Sequence, residues 1–174
     1  PTSARPPAAR SARPPRRPAP PPPPRPPPRR PPPPPAAPPP PRPGALDAPA
    51  LRFGDGAGQL VFNHTATAQT GAYDFQPTLH GSGLIEHHAG LTRLAADNSE
   101  FTGFTTVHGG TLQVDGILGG SMTVNGNGRL QGIGEVGSTL NLGTIAPGNS
   151  IGTLMVAGDY TGENGLLEIE TVLG

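Results

Sequence analysis

Thr105-Thr-Val-His-Gly-Gly-Thr-Leu-Gln-Val114 is the stretch on which the fold turns. Val107, Leu112 and Val114 are apolar, with polar Thr106 and Gln113 at the alternate positions and Gly109–Gly110 between the two halves. A period of two is the signature of a strand with one face buried. A glycine pair supplies the backbone freedom of a tight turn. The unit recurs in both directions. Ser121–Val124 and Arg129–Gln131 flank Gly126–Asn127–Gly128. Leu60–Val61–Phe62 and Gly83–Leu84–Ile85 precede it, and Thr139–Leu142, Thr153–Val156 and Leu166–Ile169 follow. No ten residues show helical periodicity.

These runs predict strands of three to five residues. The expected inward positions are Val107, Leu112, Val114, Met122, Val124, Leu130, Leu140, Leu142, Leu154 and Val156. All are small or medium aliphatics, and Phe and Tyr total only seven in the chain. A wide core is hard to fill from this set, whereas a narrow core stacked coil on coil needs no large side chains. The solution is an all-β solenoid of about five or six coils of roughly 20–25 residues. A β-sandwich is the competing architecture, but it usually wants longer strands and more aromatic anchors. Handedness and coil boundaries are not readable from the pattern.

Composition splits the 174 residues in two. Nine of the 12 basic residues are arginines between Arg5 and Arg42, and all 12 acidic residues lie at Asp47 or beyond. Residues 1–44 therefore carry +9 and residues 45–174 carry −9. Of 27 prolines, 24 fall in the first 44 residues. Proline lacks an amide donor and fixes φ, so a disordered, polyproline-like segment is expected at 1–45, reaching up to about 140 Å. Its arginines suit an acidic or proline-binding partner. No aromatic residue is interleaved for base stacking, so nucleic acid is not an expected partner. There is no cysteine, hence no disulfide framework and no thiolate chemistry. No apolar run approaches the roughly 18–20 residues of a membrane helix. Because the chain begins at Pro1 and its last residues are an apolar run, a piece of a longer polypeptide is expected.

Two stretches carry a family likeness. Leu94-Ala-Ala-Asp-Asn-Ser-Glu-Phe-Thr-Gly103 with Thr105–Val114 resembles the passenger-associated strand repeat of bacterial autotransporters. Gly143-Thr-Ile-Ala-Pro-Gly-Asn-Ser-Ile-Gly-Thr-Leu-Met-Val-Ala-Gly-Asp-Tyr-Thr161 resembles the signature near the carboxyl end of pertactin-like passengers, the autochaperone region. The likeness covers roughly residues 54–174. It implies a right-handed parallel β-helix over 46–174, with 132–174 autochaperone-like, displayed at a Gram-negative cell surface or secreted by the type V route. The partner it implies is a C-terminal β-barrel translocator, through which alone the chain would associate with the outer membrane. A host surface ligand is a further implied partner. The family-motif residues are Asn98, Gly103, Gly110, Pro147, Gly148, Asn149, Ser150, Ile151, Gly152, Gly158 and Tyr160. In physical terms Pro147–Gly148 is a rigid turn, Asn149 and Ser150 can bond nearby backbone, and Ile151, Leu154 and Val156 are expected to enter the core. Such a turn beside an apolar strand is either a folding nucleus or one more corner between coils.

No catalytic residue, cofactor or metal site is assigned. His87–His88 reads as a solvated rim. Glu86 and His88 share a strand face, but a zinc site there lacks further ligands in the sequence. Gly54–Asp55–Gly56–Ala57–Gly58 reads as a turn rather than a calcium repeat. Ser99, Ser121, Ser138 and Ser150 lie on no strand–turn–helix elbow. Asn63–His64–Thr65 is a glycosylation sequon without expected consequence. Glu163, Glu168 and Glu170 read as one solvated face, and Arg93 and Arg129 as isolated. The resulting reading is a structural stalk and folding template, with adhesion as a related role. The alternatives are a proline-rich partner-binding module on a small β domain, a truncated remnant, or a polysaccharide-acting enzyme on the same fold.

Overall fold

The computed structural model describes residues 44–55 and 57–171. The proline-rich segment therefore lies outside the described residues up to position 43, as do Gly56 and the end of the last apolar run. Among the described residues there are fourteen strands and no helix. They are β1 (Ala50–Arg52), β2 (Gln59–Asn63), β3 (Tyr73–Phe75), β4 (Thr78–His80), β5 (Leu84–Ala89), β6 (Leu91–Leu94) and β7 (Asp97–Asn98). Then follow β8 (Phe104–Val114), β9 (Ile117–Gly132), β10 (Glu135–Asn141), β11 (Thr144–Pro147), β12 (Met155–Val156), β13 (Tyr160–Gly162) and β14 (Leu166–Leu167).

Every ladder between these strands is parallel, and each joins one coil to the next. One face is built by β2, β5, β8, β9, β10 and β13. A second is built by β3, β6, β8, β9, β11 and β14. The third carries β1 on β4, then β7, β9, β10 and β12. The described residues form a parallel β-solenoid of about five turns, with no pair of facing antiparallel sheets among them. Gln59, Leu84, Phe104, Ser121 and Ser138 occupy equivalent places on successive coils, at steps of 25, 20, 17 and 17 residues. The later coils are thus shorter than the composition suggested.

The core follows this taper. The wide early coils are filled by aromatics: Phe62 meets Phe75 edge-on at 5.2 Å, and Phe53 meets Phe101 at 5.6 Å. The narrow later coils need only aliphatics. Thr92, Leu112, Leu130 and Ile145 form one column across four coils. Leu118 and Val136 stand in another. All six of these side chains are buried. Each fully buried aliphatic contributes about 1.5–3 kcal/mol of transfer free energy.

Three expectations are corrected. The short runs fuse into strands of 11 and 16 residues in β8 and β9, because the ladder resumes past the glycine corner with a shift of register between Val107 and Gly109. At Gly110 the backbone turns at φ 70°, and a Cβ there would stand 2.5 Å from the Gly90 carbonyl of the coil below. Leu140 and Leu142 do not face inward; Thr139 and Asn141 do. The ladder slips between Val136 and Ser138, where β10 takes two steps against three on β9, and this exchanges the inward and outward positions of the rest of β10. Ile151 does not enter the core either and is 59% exposed, while Leu154 and Val156 are half-buried against it.

Candidate functional site

The family-motif residues lie at corners and inter-coil contacts rather than around one pocket. Asn98, on β7, is buried; its Oδ1 accepts from the Leu79 amide at 2.8 Å and its Nδ2 donates to the Ala96 carbonyl at 3.3 Å. The side chain thereby supplies the bond that a β4–β7 ladder would otherwise make. The Asn98 carbonyl accepts from the amide of Phe101, whose ring is wholly buried. Gly103 leads into β8, and Gly110 makes its corner.

The second motif closes the fifth coil. Pro147 ends β11, and Gly148 turns at φ 97°. Gly148 and Gly132 exchange amide–carbonyl bonds of 2.7 and 3.3 Å, an antiparallel bridge within a parallel fold. Asn149 bonds no nearby backbone, contrary to expectation. Its Nδ2 reaches across two coils to Asp115 Oδ1 at 3.1 Å. Ser150 holds φ 126°, a strained value for a residue with a Cβ. Ile151 and Gly152 are exposed, as are Gly158 and Tyr160. The Tyr160 hydroxyl accepts from Asn141 Nδ2 at 3.1 Å.

Asp115 is a junction that the sequence did not reveal. Arg93 Nε and Gln113 Nε2 each donate to its Oδ2 at 2.8 Å. Its partial burial pushes its carboxyl upward, but the bonds from Gln113, Asn149 and Arg93, with the Arg93 charge, together hold it below the usual carboxylate range. Gln131 Nε2 donates to Gln113 Oε1 at 3.2 Å and continues the row onto the next coil. Arg129 pairs with Glu168 at 2.6 Å, so neither arginine is isolated, and the Glu168 carboxylate keeps its solvent contact. An open groove of about 470 Å³ runs beside this row, lined by Gln113, Arg129, Gln131, Asn149 and Glu170 among others.

His87 is the largest departure from the sequence reading, being fully buried rather than on a rim. A carbonyl can only accept, so His87 Nδ1–H donates to Gly109 O at 2.8 Å. Nε2 then accepts from the Thr92 hydroxyl at 3.0 Å. That commits the Thr92 proton, so His64 Nε2–H donates to Thr92 Oγ1 at 2.8 Å, and His64 Nδ1 accepts from the Ala66 amide at 3.2 Å. Each proton in the chain has one place. Desolvation is the main cause that pushes both imidazoles below their ordinary value; the Gly109 bond partly opposes it at His87. The signal was legible only as a position: His87 sits at an inward place of an alternating strand.

The four candidate serines, Ser99, Ser121, Ser138 and Ser150, are all exposed. Among the described residues none of their hydroxyls bonds a histidine; Ser138 Oγ accepts from the Asp159 amide at 3.3 Å.

No family model matches the chain, and no solved structure matches it significantly. Two curated proteins do. Over 98 residues the chain is 45% identical to the "Adhesin BmaC autotransporter" of Brucella suis biovar 1 (strain 1330), a match covering 55% of this chain and 3% of that protein. Over 89 residues it is 36% identical to an "Extracellular serine protease" of Serratia marcescens, covering 47% of this chain and 8% of that protein. The chain thus spans a small part of each relative's length. The motifs, the parallel solenoid and these two relatives together support a passenger fragment of the pertactin-like autotransporter kind, and the relatives' names support a place at the cell surface, in the outer membrane or in the secreted medium.

Proposed function

We propose that this segment is a non-catalytic stalk whose carboxyl-terminal part, residues 132–174, serves as the template on which earlier coils stack. One observation carries the reading: every ladder joins a coil only to its neighbours, so a formed coil offers a complete set of backbone partners to the next. The Gly148–Gly132 bridge pins the Pro147 turn to the preceding coil by backbone bonds, which supports a nucleus there. In the full-length protein the partner of such a segment is a C-terminal translocator barrel.

Adhesion is the second reading. The first relative is named an adhesin, and the groove beside Gln113 and Gln131 offers amides and Arg129 to a polar host ligand.

Refolding tests the template. A chain ending at Gly132 is expected to regain its strand spectrum at least about tenfold more slowly than the whole chain, equivalent to ~1.4 kcal/mol on the barrier. Supplying residues 133–174 as a separate peptide is expected to restore part of the rate. Equal rates for the short and whole chains overturn the proposal.

A further inference from the structure

Glu86 and His88 lie two residues apart on β5 and so project from the same face. Their side chains meet, His88 Nε2 lying 3.2 Å from Glu86 Oε2. One coil on, His87 pairs with Val107, which brings His108 of β8 beside His88. The two imidazoles stack at 4.6 Å with planes 3° apart. One ligand atom from each of Glu86, His88 and His108 lies within 4.8 Å of the other two. Neighbouring strands stand roughly 4.8 Å apart, so the coil repeat itself assembles this trio.

A second observation points to a ligand. His108 Nε2 is buried and has no hydrogen-bond partner, whereas its Nδ1 is engaged by the Asn125 amide at 3.2 Å on the next coil. An orphaned ring nitrogen is costly unless something coordinates it. Turning the Asn125 amide over lets its oxygen accept from Nδ1–H, which leaves a lone pair on Nε2. That is the outer partner a metal-bound imidazole takes. Two imidazoles and a carboxylate suit a borderline divalent ion such as Zn²⁺ over Ca²⁺ or Mg²⁺, and leave a fourth place for water.

We propose that Glu86, His88 and His108 form a surface site for a divalent transition metal, oriented by Asn125. The site bridges two coils, so an ion in it cross-links the solenoid without any disulfide.

The test is calorimetric titration of the full chain, purified without a polyhistidine tag, with zinc chloride and with calcium chloride. One Zn²⁺ per chain is expected, with no calcium binding. His88→Ala removes an exposed side chain, and His108→Ala removes the inner one. Each is expected to weaken zinc binding by more than the roughly tenfold expected of Asn125→Ala. His80→Asn, at the separate His80–Glu100 pair, is expected to leave it unchanged. Zinc is also expected to raise the melting temperature of the wild-type chain and not that of His88→Ala. Absence of stoichiometric binding, equal affinity in His88→Ala, or loss of binding in His80→Asn overturns the proposal.

Discussion

At the residue scale, Asn98, His87 and Asn141 sit buried with their polar atoms bonded, whereas the Thr105 hydroxyl is buried without a partner among the described residues. Asn141 is buried, and its amide serves three partners: Gly143 N at 3.0 Å, Tyr160 Oη at 3.1 Å and Leu166 O at 3.1 Å. Asn141→Ala leaves those groups unmatched, and urea melts are expected to show a loss of about 1–3 kcal/mol. The His87 relay makes a pH prediction. Its folded value is lowered, while unfolded histidine titrates near ~6.5. Below that point the unfolded chain binds the extra proton, so stability is complete above about pH 6.5 and falls as the pH drops toward the folded value. Protonating Nε2 also ends the Thr92 donation. Melting temperature is expected to decline from pH 7.5 to 5.5, and less so in His87→Gln. An equal decline in the variant would remove His87 as the cause and leave His64, which shifts the same way.

At the element scale, corners decide as much as strands. The slip after Val136 turns Thr139 and Asn141 inward. The corner at Gly110 brings two backbones together at a left-handed φ, and Gly110→Ala puts a methyl against the Gly90 carbonyl. About 1–3 kcal/mol of backbone strain is expected, with more if the coils separate. The measurement is a denaturant melt alongside Gly126→Ala. At Gly126 the nearest atom to an added Cβ is 3.7 Å away and the backbone needs no positive φ, so that change is expected to cost far less. The alternating runs made the strands legible, but not their fusion through such corners. Whether a glycine ends a strand or bends it depends on the coil below.

At the whole-molecule scale, a solenoid distributes its stability along one axis. Leu112 is sealed between two coils, whereas Leu154 lies half-buried near the last one. Leu112→Ala is expected to cost about 2–5 kcal/mol, and Leu154→Ala clearly less. Parity of the two would mean that the coils do not stack as nearest neighbours. The carboxyl-terminal coil leaves Met155, Leu166, Leu167 and Ile169 exposed, so the apolar content of the chain is not uniformly covered.

Period-two runs, scarce aromatics and glycine punctuation sufficed to specify a stacked β architecture, because alternation and side-chain volume are local properties. The motif stretches were likewise sufficient to suggest the kind of protein. Coil length, the inversion at Val136, the bonding of His87 to Gly109 and Thr92, the reach of Asn149 to Asp115 and the meeting of His88 with His108 were decided only in three dimensions. Each depends on which residue of one coil lies over which residue of the next. A single added residue shifts that alignment while leaving the local pattern almost unchanged.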